Sequence, residues 1–229
     1  MIVYGKQVFF SILEYHKDLI DELYLAKECD KESFKKIANS GFKVQKLDSK
    51  TAQALSKGKN HQGFLLKIKE FEFSSLDELK KKEFLVLLCG ISDVGNIGSI
   101  ARTAYSLGVD GLVFIGQRLA MEGVIRASSG GALGLSIVLS PNVFDVFNEL
   151  KQAGFKLFAT DSSGNDIHNL NFVKGKKVLV LGSEGFGLPK KIVRKCDECI
   201  GIKMKNNFDS LNVSVAFAIL CDRMINAKL

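Results

Sequence analysis

The chain has 229 residues, of which 46% are hydrophobic, and its 32 basic and 25 acidic residues give a net charge of +7. This composition is typical of a globular protein with a substantial core, and no apolar run approaches the length of a membrane span. The N-terminus lacks the pattern of a signal peptide, and five cysteines in such a chain predict reduced thiols and a cytoplasmic location. The positive charge fits a polyanionic partner without establishing one.

The first third of the chain alternates short helical and strand patterns. The pattern predicts two strands and two helices, over Ile20–Leu25, Phe64–Ile68, Val8–Tyr15 and Lys31–Asn39. Residues 69–83 are highly charged and poor in aliphatic side chains, which predicts a linker with a helical end. Positive charge is denser in residues 1–70, with 13 basic against 9 acidic residues, than in the remainder.

From residue 84 onward, strand-like and helical patterns alternate regularly. The predicted strands cover 85–91, 111–115, 136–139, 156–160, 178–182 and 199–203. Helical patterns include Val143–Ala153, which ends at Gly154, and the final apolar helix Leu211–Asn226. This alternation predicts a mostly parallel sheet covered by helices, with ligands bound outside the carboxyl ends of the strands.

The first segment with functional potential follows the apolar run Phe84–Ile91. Asn96 is predicted to cap the next helix, and Gly98 to let the backbone approach a ligand. Arg102 is expected in the first turns of that helix, near the positive end of its dipole, where an arginine calls for an anionic or polar partner. The alternative is an ordinary surface arginine after an ordinary cap.

The second segment, Val178–Pro189, is a predicted buried strand that runs into a loop with glycines at 182, 185 and 187. A glycine-rich turn after a strand favours contact between a ligand and the backbone, and Pro189 suits the first position of a helix. Because no Walker lysine follows, a nucleoside triphosphate is not indicated. The alternative is a tight turn in which Glu184 is solvated.

The third segment, Ile202–Ala216, offers Ser210, Asn212 and Ser214 before the final helix. Ser210 is a candidate N-cap. By itself this segment identifies no function, since its polar residues could serve only as caps.

The cysteines do not predict a metal site. Cys196 and Cys199 form a single CxxC pair, while His16, His61 and His168 are scattered along the chain. Without a second pair, zinc ligation is disfavoured and the thiols are interpreted as structural or incidental.

Taken together, the three segments resemble the SpoU/TrmH family of RNA ribose 2′-O-methyltransferases. The motifs occur in the family's order and with its usual spacing: Asn96-x-Gly98-x-x-x-Arg102, Leu181-Gly182-Ser183-Glu184-Gly185-x-Gly187-Leu188-Pro189 and Ser210-Leu211-Asn212-Val213-Ser214-Val215-Ala216. The resemblance spans roughly 84–226 and extends into 1–68 through Tyr4-Gly5 and Asn60-His61-Gln62-Gly63-Phe64. Its two-domain layout is most similar to bacterial enzymes that methylate a guanosine of 23S ribosomal RNA.

The resemblance implies an α/β fold in two domains. A small N-terminal α/β substrate-binding domain (1–68) and a linker (69–83) precede a methyltransferase domain (84–229) with a parallel sheet and a deep trefoil knot near the C-terminus, an exception to the usual threading rules. The family also implies a homodimer, in which one subunit completes the RNA site of the other, and S-adenosylmethionine bound in the knot. The implied cofactor contacts are Gly182, Ile202 and Leu211, with Leu181, Ser183, Met204 and Thr160 as further candidates.

The implied reaction is an in-line attack of a ribose 2′-hydroxyl on the methyl carbon of the sulfonium. No metal is needed, because the thioether leaves uncharged. The family points to Arg102 as the key residue, but a guanidinium rarely gives up its proton. We therefore expect Arg102 to clamp the target phosphate and the developing alkoxide. Asn96 and Glu184 are expected to position Arg102, and Ser210 and Asn212 to complete the polar floor.

The N-terminal domain fits a role in RNA recognition. Lys57 and Lys59 lie beside Asn60 and His61, and Lys50 is nearby. Loosely spaced lysines suffice where folded RNA is read by shape and backbone, although an ordinary solvated face is a nearly equal alternative. His61 is expected to be structural or RNA-facing rather than catalytic.

Ribosomal RNA and a second copy of the chain are therefore the expected partners, with no membrane and no metal. Three alternatives remain open: a tRNA ribose methyltransferase, a self-protecting antibiotic-resistance methylase, and a non-catalytic RNA-binding or ribosome-assembly factor. The compact N-terminal domain favours ribosomal over transfer RNA. The presence of all five polar motif residues argues against a protein that only binds. A Rossmann dehydrogenase is disfavoured, because no GxGxxG opens the first βα unit.

Overall fold

The structure is a computed structural model that describes residues 1–170, 172, 175–205 and 210–226. It contains a four-stranded sheet near the N-terminus and a six-stranded sheet formed by the rest of the chain. Among the described residues, no helix combines the length and the apolar character needed to cross a bilayer.

The N-terminal sheet is mixed, with strand order β1-β4-β2-β3. Its elements, with the helices around it, are β1 (Ile2–Tyr4), α1 (Lys6–Tyr15), β2 (Ile20–Leu25), α2 (Lys31–Ala38), β3 (Val44–Lys46), α3 (Ser49–Leu55) and β4 (Phe64–Ile68). The two predicted strands and two predicted helices are confirmed. Elements β1, β3 and α3 were not predicted, because such short segments do not establish a period.

The second sheet is entirely parallel, with strand order β10-β8-β9-β5-β6-β7. Its elements, with α4 before it, are α4 (Leu76–Leu79), β5 (Phe84–Cys89), α5 (Val94–Leu107), β6 (Gly111–Ile115), α6 (Met121–Ala127), β7 (Ser136–Ser140), α7 (Val143–Gln152), β8 (Lys156–Asp166), β9 (Lys177–Leu181), α8 (Lys190–Val193), β10 (Glu198–Gly201) and α9 (Val213–Asn226). All six predicted strands are present, and the predicted parallel α/β architecture is confirmed.

Both faces of this sheet are covered, which explains the continuous apolar strands. Along β5, Val86 and Leu88 belong to one buried cluster and Leu85 and Leu87 to another. Helices α5, α6 and α9 contribute to the first cluster, and α7 contributes to the second. Alternate side chains of a strand point to opposite faces, so a strand between two helical layers has no polar face.

Strand β8 is longer than predicted and irregular in its pairing. Its partner β10 pairs Cys199 with Ala159 and then shifts, so that Ile200 pairs with Asn165. The residues between these two points leave the ladder as a bulge near the carboxyl end of the edge strand β10. This bulge forms one wall of the cavity described below.

The N-terminal sheet packs against the second sheet through α6. The guanidinium of Arg126 lies over the ring of Tyr4, 5.1 Å from its centroid, and Lys57 Nζ lies 2.8 Å from Glu122 Oε2. Within the predicted linker, Ser74 N donates to Ile137 O over 2.8 Å, and Leu79 is fully buried. The end of this segment is therefore packed against the six-stranded sheet.

Candidate active site

The helix after β5 begins differently from the prediction. Asp93, not Asn96, is the N-cap of α5, and its carboxylate accepts a hydrogen bond from Asn96 N over 2.7 Å. Aspartate caps helices as well as asparagine does, and here it stands three residues earlier. The side chain of Asn96 is consequently free for other contacts.

Two other expectations for this helix are wrong. A Cβ on Gly98 would lie 2.3 Å from the Cβ of Ala127, so the glycine allows close packing of α5 on α6 rather than the approach of a ligand. Arg102 is the ninth residue of α5, in its third turn. The helix dipole acts mainly within the first turn, so it does not explain the position of this arginine.

The glycine-rich segment after β9 is a closed turn. Ser183 and Gly187 form an antiparallel bridge, and Gly187 N donates to Ser183 O over 2.9 Å. A Cβ on Gly182 would lie 2.3 Å from the carbonyl carbon of Gly187. Gly187 itself has a φ of 61°, a conformation that favours glycine. Pro189 is the N-cap of α8, one residue before the predicted position.

The final helix also begins with a different cap. Asn212 Oδ1 accepts hydrogen bonds from Ser214 N over 2.9 Å and from Ser214 Oγ over 2.7 Å. The predicted cap, Ser210, lies three residues before the first helical residue, Val213. Asn212 therefore replaces Ser210 in the capping role. Residues 206–209 of the third segment lie outside the described residues.

The three segments meet at Asn96. Its Nδ2 donates to Glu184 Oε1, and its Oδ1 accepts from Asn212 Nδ2 over 3.0 Å. An amide can serve both neighbours because it carries a donor and an acceptor, which a carboxylate or an ammonium does not. One side chain thus joins the loop after β9 to the start of α9.

A cavity of about 330 Å³ opens beside this network, at the carboxyl ends of β8, β9 and β10. All seven residues predicted to contact the cofactor line it: Thr160, Leu181, Gly182, Ser183, Ile202, Met204 and Leu211. Glu184 and Ser210 line it too. Thr160 has a structural bond, since its hydroxyl donates to Val180 O over 2.9 Å. The volume lies within the range of small-molecule sites.

Arg102 faces a different and larger cavity, of about 970 Å³, between the N-terminal sheet and the helices of the second sheet. Its Nη1 donates to Ser129 Oγ over 3.4 Å, and Ser129 Oγ donates to Gln7 Oε1 over 3.4 Å. No hydrogen bond within the described part of the chain joins Arg102 to Asn96 or Glu184. Within one subunit, those two residues therefore do not position Arg102, since six helical residues, about 9 Å, separate Arg102 from Asn96.

Sequence reasoning missed the residues around Arg102. Ser129 has a φ of 53°, unusual for a residue other than glycine, asparagine or aspartate. A Cβ on Gly131 would lie 3.3 Å from the Cα of Arg102. The turn after α6 therefore packs directly against α5, and Gln7 connects it to α1. The run of serines and glycines at 128–131 is the signal that could have indicated such a turn.

The predicted RNA-binding residues have different environments. Lys57 is engaged with Glu122, whose carboxylate raises the pKa of the lysine. Lys59 is exposed, and Asn60 Oδ1 accepts from Gln62 N over 3.1 Å. His61 is 5% exposed, and its Nδ1 accepts from Gly63 N over 3.1 Å. A direct RNA contact by His61 is not supported, because burial and this bond give it a structural role.

The cysteines are free thiols. Burial raises the pKa of Cys196 to about 12 and also raises that of Cys199. Thiolates, not thiols, ligate metals and attack disulfides. Among the described residues, no group of three or more histidine, cysteine, aspartate or glutamate side chains is arranged to hold a metal ion.

The sheet and its cavity define the class of protein. The all-parallel sheet, with a cavity formed by loops at the carboxyl ends of its strands, defines an α/β protein whose cavity lies where such folds bind small molecules. The sequence model of the SpoU rRNA methylase family matches residues 83–222. A second model, for RNA 2′-O ribose methyltransferase substrate binding, matches residues 2–74. The chain belongs to the SpoU/TrmH family of RNA methyltransferases.

Individual proteins agree with this assignment. An uncharacterized tRNA/rRNA methyltransferase of Borreliella burgdorferi is 34% identical over 78% of this chain and 85% of its own length. The AdoMet-bound rRNA methyltransferase of Sinorhizobium meliloti superposes with a TM-score of 0.79 at 24% identity, covering 100% of this chain and 87% of its own. The SpoU methyltransferase AviRb of Streptomyces viridochromogenes, in complex with AdoMet, has a TM-score of 0.79 at 23% identity, covering 99% and 89%. The predicted α/β fold with a parallel sheet and an N-terminal substrate-binding domain is thus confirmed.

Proposed function

We propose that this protein transfers a methyl group from S-adenosylmethionine to a ribose 2′-hydroxyl of RNA, with a guanosine of 23S ribosomal RNA as the favoured target. The observation that carries the proposal is the contact of Asn96 with both Glu184 and Asn212 at the cavity lined by the seven candidate cofactor residues. Three motifs remote in sequence thereby form one polar site beside one small-molecule cavity.

The cavity fits S-adenosylmethionine in its chemistry. Its walls combine apolar side chains such as Leu181 and Leu211 with backbone from the Gly182–Gly187 turn. Backbone groups can hold the polar edges of an adenosine, while apolar walls accept its ring. The two AdoMet-bound structures of the same fold support this choice of cofactor.

S-adenosylmethionine supplies an electrophilic methyl group and departs as a neutral thioether. The residues of the chain must then align the ribose with the methyl group and stabilise the negative charge that develops on the 2′-oxygen. We assign Arg102 to the phosphate and to the developing alkoxide, because a guanidinium stays protonated and offers paired donors. Asn96 fixes the carboxylate of Glu184 at the cavity rim, and Ser210 supplies a further polar group there.

We further propose that the protein acts as a homodimer. Within the described residues, the cavity that contains Arg102 and the candidate cofactor cavity share no lining residue. An arginine from a second copy would bring the RNA-side and cofactor-side groups together. Mixing Arg102→Ala with Gly182→Val subunits tests this, since a composite site predicts that the mixture regains activity absent from either parent. No recovery, with mixed dimers demonstrated by mass, would contradict a shared site.

The decisive experiment for the reaction uses purified protein, S-adenosylmethionine with a labelled methyl group, and RNA from cells that lack the protein. A 2′-O-methyl group blocks alkaline cleavage of the adjacent phosphodiester, so label on ribose remains in alkali-resistant dinucleotides. Label recovered in mononucleotides would instead indicate base methylation. Parallel reactions with ribosomal and transfer RNA decide the substrate.

A titration with S-adenosylmethionine separates the enzyme from the binding-only alternative. Micromolar to submillimolar affinity supports the proposal, whereas no affinity favours a ribosome-assembly factor. The trefoil knot and the cytoplasmic location stay predictions from the family and from the composition.

A further inference from the structure

The loop at the candidate cofactor cavity exposes a large aromatic side chain. Phe186 is 96% exposed, although it lies between Gly185 and Gly187 at the cavity rim. By comparison, Tyr15 and Phe34 are 63% and 62% exposed. Full solvation of a phenylalanine forgoes the favourable burial of its ring, so its position suggests that another molecule covers it.

The loop holds Phe186 in a defined place. The Ser183–Gly187 bridge closes the turn, and the bond between Glu184 and Asn96 ties it to α5. On the other side, Leu188 is 5% exposed and anchors the chain in the core. The ring is therefore presented by a turn that is fixed at both ends.

The segment that follows Phe186 is strongly basic. Four exposed cations occur within six residues: Lys190, Lys191, Arg194 and Lys195. None of them forms an ion pair with another residue that the structure describes. The next carboxylates along the chain are already engaged, because Asp197 pairs with Lys151 and Glu198 pairs with Lys156.

An exposed aromatic ring followed closely in sequence by exposed cations without ion-pair partners among the described residues suits single-stranded nucleic acid. Bases stack on the ring, and the cations hold the phosphates. Apolar contact alone would not call for the four cations, and a negatively charged partner meets both features. The charge thus selects RNA as the occupant.

We propose that Phe186 is a stacking platform for a nucleobase of the RNA next to the methyl-transfer cavity, and that Lys190, Lys191, Arg194 and Lys195 bind the adjoining phosphates. This inference rests on the proposed function, because it assigns a place to the RNA of that reaction. It adds a recognition surface on the methyltransferase part of the chain to the expected one on the N-terminal part.

The chain contains no tryptophan, so Phe186→Trp creates a single fluorescent reporter at this place. A base stacked on the indole should quench its emission, with the same midpoint as RNA binding followed by the anisotropy of a labelled single-stranded RNA. Phe73→Trp is the matched reporter, since Phe73 is 41% exposed and precedes Ser74, which bonds to the edge strand β7. Its emission should stay unchanged.

The outcomes separate this inference from the proposed function. If anisotropy shows that RNA binds but Trp emission at position 186 does not respond, the platform is refuted while the function stands. A response to S-adenosylmethionine alone, with no further change on adding RNA, would make Phe186 a cofactor lid and overturn the proposal. A change of Trp emission with protein concentration alone would make position 186 a contact between subunits and would also overturn the proposal.

Affinity measurements provide a second readout. Phe186→Leu should weaken RNA binding about 5- to 150-fold, the range for loss of one base–aromatic stack, whereas Phe73→Leu should leave it unchanged. Lys190→Gln with Lys195→Gln should lower the slope of log affinity against log salt by about 0.7 for each lost contact. Unchanged affinity and slope would refute the platform.

Discussion

The cavity that contains Arg102 and the candidate cofactor cavity are lined in different ways. The smaller, at the carboxyl ends of β8, β9 and β10, is formed mainly by a glycine turn, apolar side chains and backbone. The larger, between the two sheets, is lined by charged and polar side chains that include Arg102, Arg126, Lys6 and Asp30. The first is shaped by tightly packed backbone and apolar side chains, whereas the second carries the cations Arg102 and Arg126, and its Lys6 is paired with Asp30.

This difference has a consequence for mutations. Removing a side chain should lower activity most in the larger cavity, where side chains make the contacts. Adding a side chain should lower ligand affinity most at Gly182 of the smaller cavity, where the backbone of Gly187 and Leu188 leaves no room for it.

The largest effect is expected from Arg102→Ala, which should lower methylation about 100- to 1000-fold, as loss of one donor to developing charge does. Affinity for S-adenosylmethionine should not change, because Arg102 does not line the smaller cavity. Single-turnover methylation and cofactor titration measure the two quantities. Arg118→Ala is the control, since Arg118 is exposed and lines neither cavity.

Near-normal methylation by folded Arg102→Ala would remove the arginine from the mechanism. Arg102→Lys is informative as well. If it retains full activity, charge alone suffices and paired donation by the guanidinium is not required.

Gly182→Ala should weaken cofactor binding about 100-fold, because the new Cβ would lie 2.3 and 2.4 Å from backbone atoms of Gly187 and Leu188. Gly185→Ala is the matched control in the same turn, since its Cβ would meet nothing within 4 Å. Calorimetry measures the affinity, and circular dichroism verifies folding. Equal losses in the two variants would show that the tight packing at Gly182 is unimportant.

Asn96→Asp should lower methylation about 10- to 100-fold, since it places a second carboxylate against Glu184 and removes the donor. Adding Glu184→Gln should restore much of the loss, because a glutamine amide can donate to the new carboxylate. Rates of the single and double variants form the test. A double variant as slow as its worse parent would mean that the bond itself is not what matters.

The two N-terminal lysines should differ in their contribution to RNA binding. Lys59→Gln should reduce the salt slope of RNA affinity by about 0.7 to 0.9, the value for one phosphate contact. Lys57→Gln should reduce it less, because Lys57 is paired with Glu122 at 2.8 Å. RNA affinities measured between about 50 and 200 mM salt, where phosphate contacts weaken strongly, give both slopes. Identical slopes would show that the ion pair opens when RNA binds.

The smallest effect is expected from Asp93→Ala, which removes the cap of α5. Loss of such a cap lowers the free energy of unfolding by roughly 1 kcal/mol. Chemical denaturation measures this change, and Asp93→Asn should recover most of it. A loss of cofactor affinity out of proportion to stability would indicate that the cap also shapes the site.

Much of the fold could be predicted from local sequence. The apolar runs of β5, β6 and β9 and the glycine at position 154 act within a few residues, so their structural effects are visible in the chain itself. The helix N-caps were harder to predict from the sequence. Asp93 and Asn96 are chemically similar candidates a few residues apart, and so are Ser210 and Asn212. Only the backbone geometry selects between them.

The sequence by itself determined the order of the elements, the parallel architecture and the types of residue available for chemistry. The tertiary structure decided which of them meet. Asn96 and Glu184 are 88 residues apart, and Asn96 and Asn212 are 116 residues apart, so no local pattern joins them. It also separated Arg102 from Asn96, which the motif had grouped, because a rigid helix carries Arg102 to the larger cavity and Asn96 to the hydrogen-bond network beside the smaller one.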